Sequence, residues 1–313
     1  MLAVKFLPHN GGHAAPTHPG GPMKVADIFS SAKATGAQPI SFEMFPPKGE
    51  LTLEHAREVA EQFQDLHPDF VSVTYSAGGS GNSGATAKIA SMLTHDFDIT
   101  SVAHLTCISL TRDELQRKID EMRQAGVENV LALRGDLPQG TNAADAARAE
   151  YPYAKDLIPA LVDAGFCVGA AAYPEGHITC ENLELSVEHL KQKQDAGASF
   201  FVTQLFFDNE CFFRFREMAD RAGITVPITA GIMPFMSKQQ ISRMVFMCGA
   251  SLPSPVIKLL AKYEDNPDAL REAGIEYACR QLEGLRDAGA DGLHIYTMNR
   301  PSVARAAIEA LRK

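Results

Sequence analysis

The chain has 313 residues with 29 basic and 38 acidic side chains, which gives a formal net charge of −9 at pH 7. Hydrophobic residues make up 45% of the chain and charged residues 21%, so the composition is that of a globular protein and excludes disordered and fibrous classes. The acidic balance argues against nucleic acid or an anionic membrane as partner, and no stretch approaches the roughly 18 apolar residues of a membrane span.

The cysteines and the amino terminus point to one intracellular domain. Six cysteines are scattered without CxxC spacing, namely Cys107, Cys167, Cys180, Cys211, Cys248 and Cys279. Their apolar contexts indicate reduced thiols, and so a cytoplasmic location. Residues 1–25 contain no continuous apolar segment of the kind found in signal peptides, and we expect a flexible tail there without a metal site at His9, His13 or His18. One catalytic domain over 26–313 is expected to follow.

Short apolar segments rich in β-branched and aromatic residues alternate with amphipathic segments along the chain. The predicted strands cover 39–45, 70–75, 100–107, 128–134, 168–173, 200–207, 226–233 and 292–298. Such alternation is typical of βα units around a parallel sheet, and eight units predict a single-domain α/β fold, the (β/α)8 TIM barrel.

The connections between the predicted elements agree with this fold. The segments QAGVENV, DAGFCVG, DAGASFF, RAGITVP and DAGADGL each place Ala-Gly just before a strand. Glycine supplies the left-handed conformation that ends a helix, so these segments predict five similar helix-to-strand joints. A helix is predicted from Thr111 to Ala125. The segment 249–268 does not fit one βα unit and predicts an additional helix or two before the last strand.

Polar residues at the carboxyl ends of barrel strands are catalytic candidates, because these ends line the open face of the barrel. The candidates are Glu43, Thr74, Tyr75, His104, Arg134, Gly135, Asp136, Tyr173, Glu175, His177, Gln204, Tyr296, Asn299 and Arg300. Glu43 lies in an otherwise apolar strand, so burial is expected to raise its pKa toward the range of a general acid. The alternative is a carboxylate that is paired with an arginine.

Two further candidates carry alternatives of their own. Asp136 follows Gly135, which lets a ligand approach the backbone, and its carboxylate can accept hydrogen bonds from ring N–H groups. The alternative is a structural ion pair between Arg134 and Asp136. His104 lies on an apolar strand and by itself is typical of a core histidine with hydrogen-bond partners, so only its neighbours make it a candidate.

Other features of the sequence carry weaker signals. The run from Gly78 to Gly84 matches neither the P-loop nor the dinucleotide-binding pattern and is interpreted as a flexible loop. Phe206, Phe207, Phe212, Phe213 and Phe215 are interpreted as core packing. His177 and Cys180 lack further ligands at suitable spacing, so no metal is expected.

Taken together, the strand-end segments resemble those of the methylenetetrahydrofolate reductase family. The resemblance rests on SFEMFPPK, FVSVTY, AHLTC, ALRGDLP, AAYPEGH, LKQKQDAGA, TQLFFD, GIMP and IYTMNR, in this order over about positions 39–302. It implies a barrel that binds FAD and reduces 5,10-methylenetetrahydrofolate to 5-methyltetrahydrofolate with NADH or NADPH, in one-carbon metabolism and methionine biosynthesis. It also implies the short prokaryotic form, which has only the catalytic barrel, and a homo-oligomer.

The resemblance also implies a role for each matching residue. Glu43 would be the general acid that helps to open the imidazolidine ring, and Asp136 would hydrogen-bond the pterin beside the flavin. The positions that match contacts to FAD or nicotinamide are Thr74, Tyr75, Ala77, His104, Arg134, Gly135, Asp136, Tyr153, Ala154, Tyr173, His177 and Lys193. The positions that match folate contacts are Gln204, Gln240 and Arg300.

The sequence departs from the family at a few of these positions. Ser186 replaces the usual aspartate on the helix after AAYPEGH, which puts one flavin contact in doubt. Met244 stands where an aromatic residue often stacks on the nicotinamide, and Phe235 and Met236 make their loop unusually apolar. Two alternatives to a flavin enzyme stay open: a flavin-free, pterin-binding barrel that transfers a methyl group, and a non-catalytic barrel. The presence of a buried acid at Glu43 argues against the last.

Overall fold

Eight parallel strands follow one another along the chain, as the sequence predicts. The structure is a computed structural model that describes residues 23–46, 53–75, 83–108, 110–136 and 148–313. The strands are β1 (Ile40–Met44), β2 (Phe70–Val73), β3 (Ser101–Thr106), β4 (Asn129–Leu133), β5 (Cys167–Ala172), β6 (Phe200–Thr203), β7 (Ile228–Ile232) and β8 (Gly292–Tyr296). Each lies within or beside a predicted range, so all eight strand predictions are confirmed.

Helices connect the strands throughout the described ranges. They are α1 (Val25–Thr35), α2 (Leu53–Gln64), α3 (Ser83–Phe97), α4 (Arg112–Gln124), α5 (Ala154–Asp163), α6 (Leu183–Asp195), α7 (Asn209–Arg221), α8 (Lys238–Cys248), α9 (Ser254–Lys262), α10 (Pro267–Asp287) and α11 (Pro301–Leu311). The additional helix that was predicted within 249–268 is α9. Among the helices in the described ranges, none is long and apolar enough to cross a bilayer.

The strands close into a barrel in sequence order, with β1 hydrogen-bonded to both β2 and β8. The predicted single-domain (β/α)8 architecture is therefore confirmed. Because all strands are parallel, their carboxyl ends meet at one face, which we call the mouth. Side chains alternate along each strand. On β1, Phe42 and Met44 pack in the cluster that joins the strands to the outer helices, and Glu43 between them faces the barrel interior.

Five helix-to-strand joints use the predicted glycines. Gly126, Gly165, Gly197, Gly223 and Gly289 have φ values of 71, 92, 113, 74 and 76°. These left-handed conformations end the preceding helices and direct the chain into the next strand. At the other end of α4, Thr111 and Glu114 form a reciprocal capping box, as suits the predicted start of that helix.

Helix α1 covers the face of the barrel opposite the mouth. The backbone N–H of Val25 donates to Asn129 Oδ1 at 2.8 Å, and Asn129 is the first residue of β4. The ring of Phe29 lies 6.4 Å from those of Phe70 and Phe200, which fill the lower interior. This apolar packing leaves the mouth as the open end. Residues 1–22 of the predicted tail lie outside the described residues.

Core residues also follow the sequence interpretation. Phe206, Phe207, Phe212 and Phe215 are buried, and Phe213 packs partly buried against them, which confirms core packing for this aromatic group. All six cysteines are free thiols, and Cys107, Cys167 and Cys211 are buried. Residues 78–82 of the predicted glycine-rich loop lie outside the described residues.

Candidate active site

Glu43 lies inside the barrel near the carboxyl end of β1, and only 7% of the residue is exposed. Burial raises the pKa of its carboxyl from 4.5 to about 8, because the low-dielectric interior disfavours the charged form. The expected rise in pKa is therefore confirmed, and the carboxyl is mainly protonated at neutral pH. No arginine pairs with Glu43 in the described part of the chain, so the ion-pair alternative is not supported.

His104 faces Glu43 from β3. Its Nε2 lies 3.9 Å from Glu43 Oε2, which is too long for a direct hydrogen bond. Burial lowers the pKa of His104 to about 3, so the ring is neutral. Its Nε2 has no hydrogen-bond partner among the described residues, which distinguishes it from a satisfied core histidine. The sequence separates these two residues, and barrel closure brings them together.

A second buried histidine, His294 on β8, lies deeper in the barrel. Its Nδ1 is 2.8 Å from Ser41 Oγ, and burial lowers its pKa to about 3. Sequence reasoning misses His294, although the alternation in GLHIY places it on the same face of β8 as the candidate Tyr296. With Glu43 and His104, these residues make one side of the interior polar.

Residues of β8 and the loop after it fix the surroundings of Glu43. The hydroxyl of Tyr296 donates to the Thr203 carbonyl at 2.6 Å. Its ring fills the space above Gly231, where an added Cβ would lie 2.7 Å from the ring. The Thr297 hydroxyl donates to the backbone carbonyl of Glu43 at 2.7 Å. Glu43 is therefore held at its backbone by a neighbouring loop.

Arg134, Gly135 and Asp136 follow β4 at the mouth. The buried Nε of Arg134 has no hydrogen-bond partner among the described residues, and its guanidinium lies 5.3 Å from the centre of the Tyr153 ring. Gly135 has a φ of +85°, and an added Cβ would lie 2.8 Å from Thr106 Cβ, so only glycine suits this position. Asp136 is exposed and forms no ion pair with Arg134 in the described chain. The structural ion-pair alternative is therefore not supported.

Another polar group lies beside β5. Lys193 on α6 donates from Nζ to the Ala171 carbonyl at 2.7 Å and lies 5.3 Å from the centre of the Tyr173 ring. Burial lowers the pKa of Lys193 to about 8. The His177 ring packs edge-on against Tyr173 at 4.7 Å, and its backbone N–H donates to Ser186 Oγ at 3.3 Å. Ser186, at the position on α6 where an aspartate is usual, thus binds the backbone of the loop that contains His177.

The remaining positions matched to cofactor contacts lie at strand and helix ends. Thr74 follows β2, and its backbone N–H donates to the Met44 carbonyl at 2.9 Å. Tyr75 packs partly buried against the core. Tyr153 is the N-cap residue of α5 and is 47% exposed, and Ala154 is the buried first residue of that helix. Ala77 lies outside the described residues.

The three positions matched to folate contacts lie on different loops. Gln204 Oε1 accepts from the backbone N–H of Leu205 at 2.9 Å. Gln240 Nε2 donates to the sulfur of Met298 at 2.8 Å, which joins α8 to the loop after β8. Arg300 is the exposed N-cap residue of α11. No hydrogen bond joins the three side chains to one another within the described ranges.

Phe235 and Met244, which the sequence analysis associated with the mouth, pack in an apolar cluster beside it. Phe235 is fully buried and packs against the Tyr277 ring at 6.0 Å, so it belongs to the core and not to the surface of the mouth. Met244 packs partly buried against the same apolar cluster. Over the part of the chain that the structure describes, no group of three or more His, Cys, Asp or Glu side chains is arranged to hold a metal ion.

The closed barrel of eight parallel strands places the chain in the class of TIM-barrel proteins, and the buried carboxyl of Glu43 lies near the carboxyl ends of the strands, where enzymes of this class have their active sites. The sequence model of the family described as methylenetetrahydrofolate reductase matches residues 28–312. The chain belongs to the methylenetetrahydrofolate reductase family, as the resemblance implied.

Individual relatives agree with this assignment. The 5,10-methylenetetrahydrofolate reductase of Escherichia coli (strain K12) is 32% identical over 283 residues, which cover 90% of this chain and 93% of that protein. Methylenetetrahydrofolate reductase (NADH) 1 of Arabidopsis thaliana is 32% identical over 289 residues, which cover 88% of this chain and 49% of that protein. The chain thus spans about half the length of the plant relative and nearly all of the bacterial one.

A solved structure supports the fold at lower sequence identity. It is an uncharacterized protein from Clostridium thermocellum that binds two copies of 5-methyl-5,6,7,8-tetrahydrofolic acid. The two structures superpose with a TM-score of 0.64 at 16% identity, over 91% of this chain and all of that one. At this identity the likeness supports the barrel fold alone.

Proposed function

We propose that this protein reduces 5,10-methylenetetrahydrofolate to 5-methyltetrahydrofolate, with FAD as cofactor and NADH or NADPH as electron donor. The observation that carries the proposal is Glu43, a carboxyl that burial keeps protonated near neutral pH at the mouth of a barrel of this family. The bacterial relative, which the chain covers almost completely, bears the same activity in its name.

The role of Glu43 follows from its protonation state. The substrate carries a carbon that bridges two ring nitrogens, and one carbon–nitrogen bond has to break before that carbon can be reduced. Breaking this bond is easier when the leaving nitrogen receives a proton. Because the pKa of Glu43 is about 8, the group keeps a proton to donate at neutral pH and is still acidic enough to release it.

Two cationic side chains at the mouth suit the anionic diphosphate of FAD. Arg134 has a buried Nε without a hydrogen-bond partner among the described residues, so it retains hydrogen-bonding capacity for a ligand. Lys193 carries an ammonium beside β5. Gly135 has no Cβ, which lets the backbone between Arg134 and Asp136 pack closely against Thr106. We infer that these residues hold FAD together with Thr74, Tyr75, Ala77, His104, Tyr153, Ala154, Tyr173 and His177. The flavin, when bound, supplies the hydride that reduces the folate.

Asp136 is the proposed partner of the pterin ring. Its carboxylate is exposed at the mouth and has no ion-pair partner among the described residues, so it can accept hydrogen bonds from ring N–H groups. Gln204, Gln240 and Arg300 are proposed to contact other parts of the folate. Gln204 and Gln240 would have to exchange present hydrogen bonds for contacts with the ligand.

An absorption spectrum of the purified full chain, followed by anaerobic additions, tests the proposal. A yellow flavin spectrum is expected to bleach when NADH or NADPH is added and to return when 5,10-methylenetetrahydrofolate follows. The nucleotide that bleaches the flavin faster is the preferred electron donor. A colourless protein that cannot be reconstituted with FAD would contradict the proposal and favour the flavin-free methyl transfer.

Two variants assign the acid and the pterin ligand. Glu43→Gln is expected to leave flavin reduction by the nucleotide unchanged and to abolish flavin oxidation by the folate, because the amide cannot donate a proton to the leaving nitrogen. Loss of both half-reactions would refute this role. Asp136→Asn is expected to slow the folate half-reaction more than the nucleotide half-reaction. Unfolding of Asp136→Asn would instead support a structural role.

A further inference from the structure

Two buried polar atoms beside Glu43 have no hydrogen-bond partner in the described part of the chain. Within the described residues, Ser72 Oγ and His104 Nε2 are both buried without a partner, and the two residues are 1% and 6% exposed. Buried polar atoms in folded proteins are almost always hydrogen-bonded, either to protein or to an ordered water. Two exceptions around one buried carboxyl therefore point to a ligand that they share.

The strand register brings the three side chains together. Ser72 on β2 is the direct register partner of Glu43 on β1, so their side chains lie side by side on the inner face of the barrel. His104 reaches the same carboxyl from β3, with 3.9 Å between Nε2 and Oε2. This separation is too long for a direct hydrogen bond, and a water that bonds both atoms would lie to one side of the line between them, where it can also reach Ser72.

Other groups around Glu43 are already engaged. The titratable side chains that face it are His104 on β3 and Tyr296 on β8, and His294 lies one inward position deeper on β8, level with Ser41. His294 is bonded to Ser41, and the Tyr296 hydroxyl is bonded to a backbone carbonyl. Among the described residues, Ser72 and His104 are therefore the inner polar groups that can still bind a small polar ligand against Glu43.

We infer that Glu43, His104 and Ser72 bind one buried water molecule, which orients the Glu43 carboxyl and stabilises the carboxylate that forms when Glu43 releases its proton. A buried water makes about three hydrogen bonds, which equals the number of groups available here. The inference that a water binds here depends only on the arrangement of these three side chains. The stabilising role rests on the proposed function of Glu43 as an acid, and Ser72 then acts as a positioning residue.

The test is an infrared pH titration of the full-length protein without folate or nucleotide. The difference between the spectra of the wild type and Glu43→Gln isolates the carboxylic acid band of Glu43. Ser72→Ala is measured in the same way, with its own Glu43→Gln double variant as the reference. Loss of Ser72 is expected to release the water, and the midpoint of the band should rise by about one pH unit because the water no longer donates a hydrogen bond to the carboxylate. Ser41→Ala is the matched control, since Ser41 is also an inward, buried serine but is bonded to His294. It is expected to leave the midpoint unchanged.

A high-resolution crystal structure provides the second measurement. It is expected to contain a water within hydrogen-bond distance of Glu43, His104 Nε2 and Ser72 Oγ in the wild type, and none there in Ser72→Ala. An unchanged midpoint in Ser72→Ala, or the lack of this water in the wild type, overturns the inference. Neither measurement depends on catalytic activity. If the water is found but Glu43→Gln still reduces the folate, the proposed acid role of Glu43 fails and the water site stands.

Discussion

The side-chain amide of Asn299 forms two hydrogen bonds with the backbone of Phe45. Asn299 Oδ1 accepts from the Phe45 N–H at 2.8 Å, and Nδ2 donates to the Phe45 carbonyl at 2.9 Å. Phe45 directly follows β1, so this pairing fixes the end of the strand that carries Glu43. Asn299 has a φ of +53° and Met298 one of +55°, and asparagine tolerates the left-handed region better than most residues. Asn299 thus serves both the turn and the strand end.

Replacing Asn299 is expected to destabilise the protein through both effects. Asn299→Gly removes the two hydrogen bonds but accepts the left-handed backbone, and it is expected to lower the free energy of unfolding by about 1–3 kcal/mol. Asn299→Ala removes the same bonds and adds a left-handed penalty of roughly 1 kcal/mol. Urea denaturation of both variants measures the two contributions. Equal losses would show that backbone strain at Asn299 contributes little, and no loss in either would show that the pairing with Phe45 does not stabilise the fold.

Gly135 offers a test of close packing at the mouth. Gly135→Ala is expected to lower the free energy of unfolding by about 1–3 kcal/mol more than Gly165→Ala, because the new methyl group would collide with Thr106. Gly165 is a suitable control, since its φ of +92° is similar and nothing lies within 4 Å of an added Cβ. Chemical denaturation of the two variants provides the comparison. Equal losses would mean that the loop relaxes away from Thr106 at little cost.

Protonation of Glu43 predicts a dependence of stability on pH. Between pH 4.5 and about 8 the folded state keeps the Glu43 proton, whereas the unfolded state has lost it. The free energy of unfolding of the wild type should therefore fall relative to that of Glu43→Gln as pH rises through this range. Burial lowers the pKa of His104 and His294, and both contribute with the opposite sign at lower pH, but they are present in both proteins and cancel. Unfolding curves at pH 5, 6, 7 and 8 measure the difference, and a constant difference would contradict the raised pKa.

Loss of the Lys193 ammonium is expected to weaken FAD binding. Lys193→Met keeps the length of the side chain but removes the charge, and it should weaken FAD binding about 10- to 100-fold by loss of a charge-assisted hydrogen bond. Affinity in the wild type should also fall as pH rises through about 8, where Lys193 loses its proton. Quenching of flavin fluorescence measures both effects.

The matched control for Lys193 lies on the same helix. Lys191 forms an exposed ion pair with Asp195 one turn later, so Lys191→Met changes the charge of α6 by the same amount away from β5. It is expected to leave the FAD affinity unchanged. Equal weakening in both variants would mean that the net charge of the helix, and not a contact of Lys193, determines the affinity.

The sequence by itself determined the architecture of this protein. Strands and helices are specified by local patterns: side chains that alternate between two faces, apolar stripes, and Ala-Gly pairs that end helices. Gly126, Gly165 and the other joint glycines show this directly, since each has the left-handed conformation that the pattern predicts. The raised pKa of Glu43 was also predictable, because a single acid in an apolar strand of a barrel has few ways to stay solvated.

The tertiary structure alone decided which side chains meet inside the barrel. Ser72 and His294 looked ordinary in the sequence, and the Arg134–Asp136 pair looked plausible, because neighbours in sequence are the partners that a local pattern can suggest. Closure of the sheet places β8 beside β1, so that Thr297 binds the backbone of Glu43 across a sequence separation of 254 residues. The stagger between neighbouring strands then determines which inward-facing side chains lie at the same level along the barrel axis. Both are properties of the closed sheet as a whole, and no single strand carries them.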